Sequence, residues 1–215
     1  MLQIALLTLA LASGVPPGAA LAPAPAADST ATGTEVVVLE TVRGLIMIEV
    51  DETAAPRTAA NFERLVQQRY FDGTYFHAVY PGFKIQAGDP NTRNADPADD
   101  GRGGPGYTIP AEIGLPCVRG AVVAARLPDV VNPERASSGS QFFILLADAP
   151  TLDRAGYTVF GRVVRGLDVA DALARLGRLP DVPRGAAGPN PGHRAFIGRA
   201  YPSTRQLRRS PAPGD

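Results

Sequence analysis

Tyr75-Phe76-His77-Ala78-Val79-Tyr80-Pro81-Gly82-Phe83-Lys84-Ile85-Gln86-Ala87-Gly88-Asp89 is the stretch on which the reading of this chain turns. Two short strand-like runs, Thr74 to Val79 and Phe83 to Ala87, lie on either side of Pro81-Gly82. Beyond Asp89 the sequence is turn-rich as far as Tyr107, which predicts a long surface loop. Upstream, Pro56 suits a first helical turn, where its missing N–H is no loss. Phe62, Leu65 and Val66 recur at i, i+3 and i+4, so the helix should run to about Gln68. Further upstream, the β-branched run Glu35 to Thr41 and the run Leu45 to Val50 read as a β-hairpin linked through Gly44.

Downstream, Arg119 to Arg126, Gln141 to Leu146 and Tyr157 to Val164 are apolar strand candidates. Leu167, Ala170, Leu173 and Leu176 share one face of a second helix, and a last short strand fits around Ala195, Phe196 and Ile197. Many short strands and two helices, without β-α-β alternation, predict a mainly β fold, a barrel or sandwich capped by the helices.

The length of 215 residues allows one or two domains. Basic and acidic side chains balance at 21 each, which disfavours a basic nucleic-acid-binding surface. A single cysteine, Cys117, excludes an intrachain disulfide framework. Every basic residue except Lys84 is arginine, which reads first as codon bias.

Leu2 to Ala12 is an apolar run too short to span a bilayer as a helix. Small residues and prolines follow, with Ala24-Pro25-Ala26 and Pro25-Ala26-Ala27 as A-x-A-like triplets. This is the pattern of a secretory signal, although no Lys or Arg precedes the run. The expected partition is a signal peptide at 1–27, a linker at 28–34, a folded domain at 35–203 and a basic tail at 204–215. Export would place the protein in the periplasm or outside the cell, with no lasting membrane insertion.

Some motifs mislead. Gly101-Arg102-Gly103-Gly104-Pro105-Gly106 matches G-x-G-x-x-G, but no strand precedes it and Pro105 opposes a following helix. The acidic cluster Asp89, Asp96, Asp99 and Asp100 lacks calcium-loop spacing and reads as a solvated loop. His77 and His193 form no metal pattern with Cys117, and Ser137 to Ser140 form no nucleophile elbow.

A second block, Ser137-Ser138-Gly139-Ser140-Gln141-Phe142-Phe143-Ile144, is followed by Leu152-Asp153 and Tyr157-Thr158-Val159-Phe160-Gly161. With Tyr75 to Asp89 and the flanks Ala55 to Phe62 and Gly104 to Ile109, this ordered series resembles the cyclophilin family of peptidyl-prolyl cis/trans isomerases, over roughly Glu35 to Tyr201. The resemblance implies a closed eight-stranded antiparallel β-barrel with an α-helix at each open end. It implies isomerisation of X–Pro bonds without a cofactor, on proline-containing peptides and unfolded or exported proteins, by a monomer. Phe83, Gln86 and Phe143 match the family's catalytic pocket. His77, Ala78, Lys84, Ala125, Arg126, Gln141, Leu152 and Tyr157 match positions that line the substrate groove.

The pattern breaks at Ala78, where the family carries its catalytic arginine. Lys84 replaces an apolar pocket residue, and Thr151 stands where some members have an aromatic. Three readings follow: a slower isomerase, an isomerase whose missing charge is supplied by Lys84 or Arg126, or a proline-peptide-binding module or chaperone without efficient catalysis.

Overall fold

A computed structural model of the chain describes residues 34–94, 96–176 and 195–205. The signal-like segment, His193, the Pro180–Gly192 loop and the basic tail beyond Arg205 lie outside them.

The hairpin forms as expected, with β1 (Thr34–Thr41) antiparallel to β2 (Gly44–Val50). Helix α1 (Pro56–Gln67) buries Phe62, Leu65 and Val66. Then come β3 (Ala78–Tyr80), β4 (Lys84–Ala87), a 3-10 turn at Pro90–Arg93, and β5 (Thr108–Ile109). The chain continues through β6 (Ala121–Arg126), β7 (Ser137–Leu145), α2 (Pro150–Ala155), β8 (Val159–Arg165), α3 (Leu167–Leu176) and β9 (Ile197–Arg205). All pairs are antiparallel, in the order β3-β4-β7-β6-β8-β2-β1-β9, with β5 also on β7.

Three expectations are corrected. The described residues hold nine strands, not eight, and the curled sheet is not closed by a ladder. Among the described residues, the segments just before its end strands β3 and β9 meet at an isolated bridge between Tyr75 and Phe196, supported by backbone bonds from Gly73 N–H to Ile197 C=O (2.8 Å) and from Phe76 N–H to Ala195 C=O (2.9 Å). The run Thr74 to Val79 is not one strand: only residues 78–80 pair regularly with β4, and residues 74–77 cross the seam irregularly. Third, the described residues hold three α-helices, not two, because α2 spans six residues, too few for a helical stripe to show in sequence.

Strand alternation sorts the apolar residues into two cores. One face of β7 sends Phe142 and Ile144 into the main core with Ile46, Ile48, Ile85 and Phe160. Phe62 of α1 caps this core, its ring 5.2 Å from Phe71, 5.3 Å from Phe142 and 5.1 Å from Phe160. The other face sends Phe143 and Leu145 into a smaller cluster with Val123, Ala125, Ala149 and Val159. Full burial of a phenylalanine contributes roughly 1.5–3 kcal/mol, so the smaller cluster is a real source of rigidity beneath the outer face.

Helix α1 has no local side-chain cap at Ala55. Glu112 supplies one from the chain following β5. Its Oε1 accepts from the Arg57 N–H (2.9 Å), and its Oε2 accepts from the Thr58 N–H (2.9 Å) and hydroxyl (2.7 Å). Burial pushes the Glu112 carboxyl up, but these bonds and the Arg57 charge outweigh it and hold the group below its ordinary value.

Candidate active site

Side chains of one strand face alternate, so residues paired across β3, β4 and β7 stand in rows. One row is Ala78, Gln86, Phe143 and, on β6, Val123. The next is Tyr80, Lys84 and Leu145. Lys84 leans out of its own row into the first. Its Nζ donates to Gln86 Oε1 at 2.8 Å and lies 4.5 Å from the centre of the Phe143 ring, with the Tyr80 ring at 5.9 Å. Burial lowers the pKa of this ammonium.

The polar chain continues sideways. Gln86 Nε2 donates to Gln141 Oε1 at 3.1 Å. Gln141 Nε2 donates to the Gly101 and Gly103 carbonyls at 3.0 and 2.8 Å. Each glutamine amide end can make two bonds, so Gln86 keeps one free capacity at its oxygen and one at its nitrogen. Gln86, Gln141, Ala125 and Arg126 line an open groove of about 1050 Å³ whose opposite wall is the Gly101–Thr108 loop.

Beside the groove, Leu152 and Tyr157 pack on the smaller core, and the Tyr157 ring meets Phe143 at 5.8 Å. Phe83 is 39% exposed at the rim, its ring 6.5 Å from Tyr80. Ala78, Lys84, Gln86, Ala125, Arg126, Gln141, Phe143, Leu152 and Tyr157 therefore gather on one face of the sheet, with Phe83 at its rim. His77 is set to one side, its ring against Gly101, where an added Cβ would stand 3.6 Å from Cδ2.

Arg126 carries a different load from the one a mobile cation would. Its side chain is only 4% exposed and pairs with Asp129 at 2.6 Å. It also donates to the Ala155 carbonyl at 2.5 Å and lies 4.6 Å over the Tyr157 ring. Its charge is already engaged in holding the 127–129 turn and the end of α2, so it is not free to act beside Ala78.

Sequence reading missed several participants. Tyr80 flanks Lys84, and the Gly101 and Gly103 carbonyls anchor Gln141. Asp89, expected in a solvated loop, is fully buried: it caps the 3-10 turn through Asn91 N–H at 2.8 Å and also accepts from Gly101 N–H. The Asp89-Pro90 pair was the available signal, an acidic N-cap ahead of a first-turn proline. Cys117 is no nucleophile, since burial and nearby Asp153 push its thiol up to about 12. Among the described residues, no cluster of His, Cys, Asp or Glu could hold a metal.

The family model described as "Cyclophilin type peptidyl-prolyl cis-trans isomerase/CLD" matches residues 36–186. The chain belongs to this family. A relative from Brucella abortus, named "Probable peptidyl-prolyl cis-trans isomerase", is 38% identical over 153 residues, covering 68% of this chain and 75% of the relative. "Peptidyl-prolyl cis-trans isomerase A" of Dickeya dadantii is 36% identical over 150 residues, covering 68% and 74%. A Cryptosporidium parvum cyclophilin crystallised in the presence of the dipeptide Ala-Pro superposes with a TM-score of 0.59 at 25% identity, covering 77% of this chain and 97% of that one. The site combines an apolar patch and a hydrogen-bonded glutamine pair with an alanine at 78 and a lysine at 84.

Proposed function

We propose that this protein catalyses cis/trans isomerisation of X–Pro bonds in peptides and unfolded chains, at a rate reduced by the alanine at position 78. The observation that carries this reading is the row Ala78–Gln86–Phe143 beside the Gln141-anchored groove. Rotation about X–Pro faces a barrier of roughly 20 kcal/mol from amide resonance. Lowering it takes no covalent intermediate. Phe83, Phe143, Leu152 and Tyr157 would hold the proline ring, while Gln86 and the groove hold the flanking main chain. A donor at the prolyl nitrogen would bind the twisted state more strongly than either planar one, which is what accelerates a reaction. The Ala78 methyl cannot donate. One charge-assisted hydrogen bond contributes about 1.5–3 kcal/mol, so its loss corresponds to a rate about 10- to 150-fold lower.

Under the same proposal the Leu2–Ala12 run and the small-residue triplets after it direct export, and the clients are exported proteins in the periplasm or outside the cell. The second reading, a proline-peptide-binding module or chaperone, draws on the absence of a donor at 78.

Exchange spectroscopy by NMR on a short X–Pro peptide tests the main reading, because it detects both binding and interconversion. Exchange above the uncatalysed rate supports the isomerase; binding without added exchange selects the binding module. N-terminal sequencing after expression in a secretion-competent host tests export, which requires a mature chain that starts near Ala27 or Asp28.

A further inference from the structure

Lys84 is the only lysine in the chain, and it sits half-buried in the substrate face with no acidic partner among the described residues. The ion pairs among the described residues join Arg69 to Asp72, Arg119 to Asp171, Arg126 and Arg135 to Asp129, and Arg162 to Glu49. None involves Lys84. Its stabilisation comes from one neutral oxygen, Gln86 Oε1, and from the faces of Phe143 and Tyr80. A partly desolvated charge held only by neutral groups is under-compensated, and a carboxylate within reach improves it more than any further neutral contact. Burial is the cause of its lowered pKa, and no carboxylate opposes that effect.

The position of the ammonium adds a second consequence. At 4.5 Å over the Phe143 centroid it covers the aromatic face that an apolar ring would otherwise use. A neutral peptide can offer the displaced cation only carbonyl oxygens, no better than the Gln86 oxygen it leaves. A peptide carrying a carboxylate can draw the ammonium aside into an ion pair and free the ring in the same event. Resting on the X–Pro reading above, we propose that Lys84 is a specificity-determining residue, which selects prolines flanked by a glutamate or aspartate side chain.

The test uses four blocked tetrapeptides that place Glu or Gln immediately before or immediately after proline. Affinity is read from NMR shift titration and turnover from exchange spectroscopy, both at low salt. At one or both positions the native protein should bind the Glu peptide about 10-fold or more tighter than its Gln twin, the worth of one charge-assisted bond. That ratio should collapse to near one in Lys84→Met and persist in Lys84→Arg, with folding of both variants checked by circular dichroism. Equal affinity for Glu and Gln peptides in the native protein overturns the proposal, as does a preference that survives Lys84→Met or no binding of any peptide. A uniform loss of turnover in Lys84→Met with an unchanged Glu/Gln ratio also overturns it and assigns the cation to the isomerisation step. Selective binding without exchange would remove the isomerase reading and leave the selectivity standing.

Discussion

Ala78 stands directly opposite Gln86 across the β3–β4 ladder. An arginine introduced at 78 would therefore enter the row of Gln86 and Phe143, where Lys84 already occupies Gln86 Oε1 at 2.8 Å. Ala78→Arg alone would place two cations on one oxygen, and like charges in contact oppose each other. The expected outcome is a modest gain in kcat/KM for the single variant. The full gain of about 10- to 150-fold is expected for Ala78→Arg with Lys84→Met. Exchange spectroscopy on a neutral X–Pro peptide measures both. A gain no larger in the double variant would show that Lys84 and position 78 do not share the row functionally.

Thr58 and Glu112 tie the start of α1 to the chain after β5. Glu112→Gln keeps one acceptor but turns an amide NH2 toward backbone donors. The loss should be about 1–2 kcal/mol, the scale of a helix cap with charge assistance. The native carboxyl lies below its unfolded value. Its contribution is therefore full above the unfolded value, about 4.3, and is lost as pH falls through the lower native one. Urea melts should show a constant gap between native protein and variant from neutral pH down to about 5 and a shrinking gap below about 4. A gap that widened on acidification would contradict this assignment.

Gln141 is buried and holds two loop carbonyls at once. Gln141→Met keeps the volume and strips the donors, leaving the Gly101 and Gly103 carbonyls without this partner. Stability should drop by about 1–3 kcal/mol, and amides in residues 101–106 should exchange faster. Peptide KM should rise more than kcat falls, because the wall of the groove is loosened and the Phe143 patch is not.

Gly88 links β4 to the buried Asp89 with φ +93°, a conformation that disfavours any side chain. An added Cβ would stand 2.1 Å from the Ser140 carbonyl oxygen, a backbone atom that cannot swing away. Gly88→Ala should cost about 3 kcal/mol or more, read as a shift of the denaturation midpoint without a change in slope. A midpoint within error of the native one would mean that β4 and β7 separate locally at little cost.

Periodicity carried the hairpin, α1 and α3, because each is long enough for a face to repeat. It could not carry α2, with six residues, or β5, with two. The seam was also illegible: Tyr75 to His77 has strand-like composition, but its partners at Ala195 to Ile197 lie more than a hundred residues away. At the site, residue types at matched positions located the face that Gln86, Phe143, Gln141 and Tyr157 share. What they could not supply was side-chain direction. Arg126, a candidate to supply the missing charge, is locked by Asp129, Ala155 and Tyr157, whereas Lys84 leans out of its own row onto Phe143.

Phe142 and Phe143 are neighbours in sequence yet belong to different cores, one on each face of β7. Inserting or deleting one residue in this strand would exchange the two sets, and the interior would fail before the surface chemistry was ever tried. Single replacements on the outer face meet no such barrier. The scaffold thus screens mutations by kind, rejecting shifts of frame and admitting changes of side chain. Positions 78 and 84 stand in the rows of that face, so this surface can acquire new preferences in single genetic steps while every side chain keeps its address.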